Sequence, residues 1–350
     1  MVSPVRRTIT GLFFSFFVIV NILGTLDIPA QIILFRPQSY ERALEDTSFY
    51  DHAAAWTAEL IQRSVSGGSL TMNDAILANL STGDYQVLFG SILTRDWVKL
   101  QSEVIIEQTW KFFNFEDNEL HLYLEMGSAK ARLQGGEGQI AASQLVMSWP
   151  ECTAEQSQVL IAGLQSVEAI ANFPRCNPPE VVRNSVISSL SIAINSLAGR
   201  IPNVIDPASN LSINDHSRGF TAYRDIRKFL SWTPFIALAL LACLAASAGS
   251  TTALTLKWLG AGIFTSGAGT ALLTAIFGVS ANLLLMKAYD TWLPVSGKEI
   301  GRAVQQMLAT VVAQTTIACL VLAFLLGVVG LLIWTVGKRV GTDQGTRPQA

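Results

Sequence analysis

Three histidines, four cysteines and a few acidic clusters are the residues of this chain with the chemistry to hold a metal, attack a substrate or move a proton. Their spacing argues against each use. Asp51-His52 and Asp215-His216 are sequence neighbours, and neither pair has a second ligand three or four residues away, as a helical metal site needs. His121 falls on the polar side of an alternating segment, where a solvated imidazole is expected. Glu116, Asp117, Glu119 and Glu125 crowd a turn but miss the ligand spacing of a calcium loop. Gly135-Gly-Glu-Gly138 lacks the Lys-Ser/Thr of a phosphate loop and reads as a turn. The serines include no Gly-x-Ser-x-Gly elbow. No catalytic, cofactor-binding or metal-ligating residue is therefore expected, and no cofactor.

What must position any site is dominated by four uncharged apolar stretches. Only 14% of the residues are charged, against about 25% in an ordinary soluble domain. A bilayer core of about 30 Å needs about 20 apolar residues in a helix. The expected fold is an integral membrane protein, mainly α, with four transmembrane helices at 8–26, 229–250, 258–286 and 307–336. Residues 1–7 are expected in the cytoplasm, because Arg6-Arg7 precedes the first span. That span reads as a retained signal anchor, since no clean small-x-small cleavage site follows it. Residues 36–228 then form an extracytoplasmic domain, 287–303 an external loop and 337–350 a cytoplasmic tail with Lys338 and Arg339. Arg224, Arg227 and Lys228 run against the positive-inside tendency. The outer segment 36–228 holds 22 acidic and 15 basic residues, which argues against a nucleic-acid partner.

The outer segment shows helical periodicity over Ser39–Ser64, a short helix over Asn73–Leu80, and a helix from the cap Thr94, with Asp96 in its first turn, to about Phe113. Glu119–Met126 alternates strictly, with Leu120, Leu122, Leu124 and Met126 on one side, and predicts a strand of a small hairpin or sheet. Thr153 and Gln156 form a capping-box pattern. Ile187, Leu190, Ile194, Leu197 and Ile201 make an apolar stripe that needs a partner, either the preceding helix or the membrane surface, with burial in the domain favoured. Cys152 and Cys176 lie in the oxidising outer segment, where a structural staple is expected. A straight helix from Thr153 to Ala171 would be about 28 Å long, whereas a bridge needs Cα atoms within about 7 Å. Either the helix breaks, most naturally at Gly163, or the bond does not form; a break is expected. Cys243 and Cys319 lie inside spans as small apolar residues.

Within the spans no ionisable side chain occurs, and Asn282 and Gln314 are the strongest polar groups, expected as interhelical hydrogen-bond partners. Small residues recur instead, with Gly260, Gly267 and Gly269 in the third span and Ala323 and Gly327 in the fourth as candidates for close helix packing.

Leu93-Thr-Arg-Asp-Trp97, Trp110, Lys130-Ala-Arg-Leu133, Trp149-Pro-Glu-Cys-Thr-Ala-Glu-Gln156 and Arg175-Cys-Asn-Pro-Pro179 occur in one order. This order resembles an uncharacterised family of bacterial membrane proteins. In that family a signal anchor precedes an extracytoplasmic domain with a Cys-Thr-x-Glu-Gln…Cys-x-Pro-Pro pattern, and transmembrane helices follow. The resemblance covers roughly residues 9–205 and implies architecture only, with no activity. The function expected is that of a non-catalytic, multi-pass protein of the cell membrane. It presents an extracytoplasmic interaction or sensing domain, with the lipid bilayer and an envelope protein as partners. The alternatives are a small permease or transport accessory subunit, and a membrane enzyme with a site at the outer interface. Reporter fusions at about residue 100 and at the C-terminus are expected to report opposite sides of the membrane. The same side at both would reject the four-span arrangement.

Overall fold

A computed structural model describes residues 4–66, 76–77, 79–163, 174–206, 218–249, 251–292 and 298–345. Helix α1 (Pro4–Pro29) begins the membrane-like bundle. Pro29 brings no N–H to the ladder, and the next turn, Ala30–Leu34, widens into a π turn that the Phe35 N–H closes on the Ala30 carbonyl at 2.9 Å. The domain helices follow: α2 (Pro37–Asp46), α3 (Phe49–Ser66), α4 (Thr82–Gly90), α5 (Arg95–Phe113), α6 (Gly127–Gln134), α7 (Gly136–Ser148), α8 (Ala154–Gly163) and α9 (Glu180–Arg200). Three long helices complete the chain, namely α10 (Arg218–Ala248), α11 (Thr252–Trp292) and α12 (Lys298–Gly345).

Among the described residues five helical segments are long and apolar enough to cross a membrane: Val5–Leu34, Glu180–Arg200, Gly219–Ala248, Thr252–Lys287 and Gly301–Thr342. The second of these is α9, the helix of the apolar stripe. Its Leu190, Ala193 and Ile194 are buried in the same core as Ala141, Ala142, Leu145 and Val146 of α7. Among the described residues its apolar side is covered chiefly by α7 and α6.

The bundle is held by backbone approach. A Cβ on Gly267 of α11 would stand 2.7 Å from the Ala323 carbonyl and 2.8 Å from the Gly327 nitrogen of α12. One on Gly260 would stand 2.7 Å from the Gly330 carbonyl. Two residues further on, about 200° around the helix, Gly262 and Gly269 face α1 instead, with Phe17 and Ile22 at 3.1 and 2.6 Å from the missing Cβ atoms. The candidates Gly260 and Gly267 therefore pack on α12 and Gly269 on α1. Gly327 takes part through its backbone, since its own Cβ direction is open, and Ala323 is buried. Gly330, not singled out in the sequence, is equally close-packed, against Phe264. Asn282 and Gln314 are exposed, not set between helices as expected.

At 41 and 48 residues, α11 and α12 are about 60 and 70 Å long, twice the thickness of a bilayer core. Residues 287–303, expected as an external loop, mostly prolong these two helices. The first half of α12 enters the domain, where Met307 and Val311 are buried with Tyr40, Ala43 and Leu44.

Three other expectations are corrected. The helix over 39–64 is two helices, broken where Thr47 and Ser48 turn their bonding back on Ala43, Leu44 and Glu45 and Ser48 takes φ 53°. The strand over 119–126 shrinks to β1 (Leu124–Glu125), antiparallel to β2 (Val204–Ile205). The alternation is real, with even positions half-buried and odd ones exposed. But one edge of the segment meets a helix rather than a strand. Gln108 and Gln101 of α5 accept from the Tyr123 and Glu125 amides at 2.8 and 3.0 Å, while Asp206 and Asn203 accept from Leu122 and Met126 on the other edge. The glycines at 135–138 are not an open turn: Gly135 alone separates α6 from α7, and a Cβ on Gly138 would overlap the Leu133 carbonyl. Half of the expected helix over 73–80 lies outside the described residues; Ile76 and Leu77 within it are helical and buried.

Substituting Gly267 by Leu is expected to lower the melting temperature of the full chain in detergent, because overpacking costs about 1–3 kcal/mol or more where backbone is the neighbour. Gly327→Ala, which meets open space, should melt like the parent.

Candidate functional site

The motif residues build a structural knot in the domain over residues 36–228. Cys152 and Cys176 stand with sulfurs 1.99 Å apart and Cα atoms 4.8 Å apart. The expected break at Gly163 falls at the edge of the described residues. Next to the bridge, Asn177 N–H donates to Pro150 O at 2.7 Å and Cys152 N–H to Asn177 O at 3.2 Å. Thr153 and Gln156 cap α8 reciprocally at 2.9 and 3.2 Å. Trp149 Nε1–H donates to Asp84 Oδ1 at 2.7 Å, and Arg175 reaches Asp84 Oδ2 at 3.4 Å. Asp84 also closes a capping box with Ser81 at the start of α4. The Leu93–Trp97 motif is likewise structural: Thr94 caps α5, Arg95 pairs with Glu45 and Asp51, and Trp97 donates to Ser128.

The sequence's polar candidates stay apart. His121 is exposed, stacks on Tyr123, and lies 3.3 Å from Glu119 and 3.4 Å from Asp206. His52 packs on Trp56, and Asp215-His216 lies outside the described residues. Glu116, Asp117 and Glu125 are exposed. Among the described residues no three His, Cys, Asp or Glu side chains could share a metal ion.

Two cavities are better candidates, and neither was read from the sequence. The first, of about 370 Å³, opens inside the same domain between α3, α5 and the two-stranded sheet. Phe49, Val98, Ile105, Leu133 and Ile205 line it, with Thr57, Gln101 and Ser102 as its polar groups. Gln101 uses its oxygen on the Glu125 amide. The lining carries no ionisable side chain.

The second, of about 580 Å³, lies where α1 and α10 meet the end of α5. Asp27, Gln31, Arg224, Arg227, Lys228 and Ser231 line it from the bundle, and Asn114 and Phe115 from the domain. Arg227 is its fixed centre. Its guanidinium stacks over Phe35 at 4.1 Å and Phe115 at 5.5 Å, donates to the Phe113 carbonyl at 2.7 Å and to Gln31 Oε1 at 3.2 Å. Gln31 in turn donates to Asp27 at 3.2 Å. Phe115 holds φ 66° at this corner, and the Asn114 side-chain oxygen is buried with no hydrogen-bond partner among the described residues. The available signal was the run Arg224-Asp-Ile-Arg227-Lys228 placed against the charge rule; its partner Asp27 is some 200 residues away in sequence.

The chain matches no protein-family model, and neither a curated protein nor a solved structure is significantly similar to it.

Burial pushes the Asp84 carboxyl up, but the Trp149 indole, Ser81 and Arg175 outweigh it and hold the group below the usual carboxylate range. A depressed pKa stabilises the fold above the unfolded pKa, and this contribution is lost as pH falls through the folded one. Asp84→Ala is therefore expected to cost about 2–3 kcal/mol near pH 7. Its deficit relative to the parent should shrink in melts at acidic pH, below the folded pKa.

Proposed function

We propose that this chain is a multi-pass protein of the cell membrane whose domain over residues 36–228 lies outside the cytoplasm and senses or recruits by binding, not by catalysis. The observation that carries this reading is the first cavity. Its size and mostly apolar lining, with a few polar groups that could orient a guest, are those of a small-molecule site. Acid–base or nucleophilic chemistry would need a titratable group facing the guest, and this lining offers none.

Membrane insertion is supported by the bundle's surface. Leu272, Phe277 and Phe324 point outward while glycines and Ala323 occupy the interior, the distribution a lipid solvent favours. Orientation is supported by charge. Arg6 donates to the Ser247 carbonyl at 3.0 Å, and Gly337 approaches Lys257, so Arg6, Arg7, Lys257, Lys338 and Arg339 gather at one end. The opposite short connection carries Lys287, Lys298 and Arg302. Arg224, Arg227 and Lys228 at the other end flank a long domain, which translocates largely regardless of charge, so the short connections, five against three, carry the argument for the first end as cytoplasmic. The core shared by α12 and the domain gives a bound guest a rigid route to the bundle.

Native mass spectrometry of the detergent-solubilised full chain, titrated with a long-chain alcohol and with a sterol, tests the binding. A one-to-one adduct is expected in the parent and several-fold less in Ser102→Trp, which fills the cavity. Equal adducts in both, with the variant melting normally, would overturn this reading.

A further inference from the structure

A second, mostly apolar space, of about 390 Å³, is lined by α1 and α10, with Ile263 of α11 and Leu322, Leu326 and Val329 of α12 also facing it. Phe17, Gly24 and Ile28 of α1 and Pro234, Leu238 and Leu241 of α10 line it. The positions place the two spaces end to end along α1 and α10. On α1 the lining residues are 17, 21, 24, 25, 27 and 28, with Gln31 in the π turn that follows. On α10 they are 224, 227, 228, 231, 234, 237, 238 and 241. Residues recurring every three or four keep one broad helix face, so the apolar groove leads toward the charged pocket. From Leu241 to Ser231 is ten residues, about 15 Å of helix, which is the depth of one leaflet. Exposed Trp232 and Phe235 flank the junction, where aromatic residues favour the level of lipid headgroups.

We propose that this furrow binds an anionic phospholipid of the leaflet on the domain side. The phosphate sits among Arg224, Arg227 and Lys228, and an acyl chain lies along the groove below. Among the described lining residues Arg224, Arg227 and Lys228 outnumber the one carboxylate, Asp27, a balance that favours a negative guest. Arg227 is held rigid by its stacking and hydrogen bonds and presents its charge without reorganisation. The buried, unpartnered oxygen of Asn114 provides an acceptor for a headgroup hydroxyl. A zwitterionic lipid would meet the same groove, but its choline could not use that acceptor and would be repelled by Lys228. The site also joins the bundle to the domain, because Arg227 bonds the end of α5 through the Phe113 carbonyl.

The proposal rests on the membrane reading above, and the experiment separates the two. Membranes containing the full chain are first washed with alkaline carbonate. Native mass spectrometry then compares phosphatidylglycerol with phosphatidylcholine, and with inorganic phosphate, on the purified full chain. The parent is expected to keep phosphatidylglycerol in preference to phosphatidylcholine. Arg224→Gln and Lys228→Gln should each weaken that adduct about five-fold, the effect of one cation near an anionic headgroup. Leu238→Trp, at an exposed groove position, should weaken it while leaving the melt unchanged. Arg227 is left in place because its bonds are part of the fold. Retention after the wash with no preference for phosphatidylglycerol, or with variants equal to the parent, overturns the lipid site alone. Inorganic phosphate binding that matches phosphatidylglycerol and ignores Leu238→Trp overturns it in favour of a free anion. Release of the chain by the wash overturns both readings.

Discussion

The closest constraint in this molecule is the approach of two helix backbones along α11 and α12. Side chains would hold these axes apart by the usual 8–10 Å. Glycine at 260, 267 and 330 removes that spacer, so carbonyl and amide groups of one helix lie against the other. Such close approach brings many atom pairs into van der Waals contact, a main source of cohesion between these helices. The hairpin then acts as a stiff post. Its length carries Met307 and Val311 past the bundle into the domain core, so the position of the domain follows from the contact between glycines far below it.

Around that post, the domain is organised by satisfying polar groups in unusual places. The extended segment before β1 has a real strand on one edge only, and glutamines of α5 complete the other. Unpaired amides at that edge would cost free energy comparable to lost hydrogen bonds. Asp84 plays a similar part among helices. One carboxylate gathers the cap of α4, the Trp149 indole at the end of α7 and Arg175 beside the disulfide. The disulfide limits the unfolded chain; the carboxylate makes the same corner specific in the folded one.

The two candidate sites sit at different joints of this frame. The apolar cavity lies between α5 and the small sheet, so a guest there presses on elements fixed by side-chain hydrogen bonds. The cationic pocket lies between α1, α10 and the end of α5, and Arg227 of α10 is bonded to Gln31 in the π turn after α1 and to the Phe113 carbonyl of α5. Both joints share α5, which runs from one to the other.

Much of the local structure was legible in the residues. Uncharged runs marked the long helices, because a bilayer demands about 20 apolar residues in a row. Thr94, Thr153 and Gln156 marked helix starts, because capping is a bond within four residues. The glycine rows at 260, 267 and 269 were visible, but which partner each faces was not. The faces of α11 divide between α1 and α12 only once three helices are placed together. The same limit hid the strand edge completed by Gln101 and Gln108, and the entry of α12 into the domain. It also hid both cavities, whose walls come from segments tens to hundreds of residues apart. Sequence periodicity determines which side of an element is apolar; only tertiary packing decides what that side meets, because the choice rests on contacts between elements rather than on bonds within them.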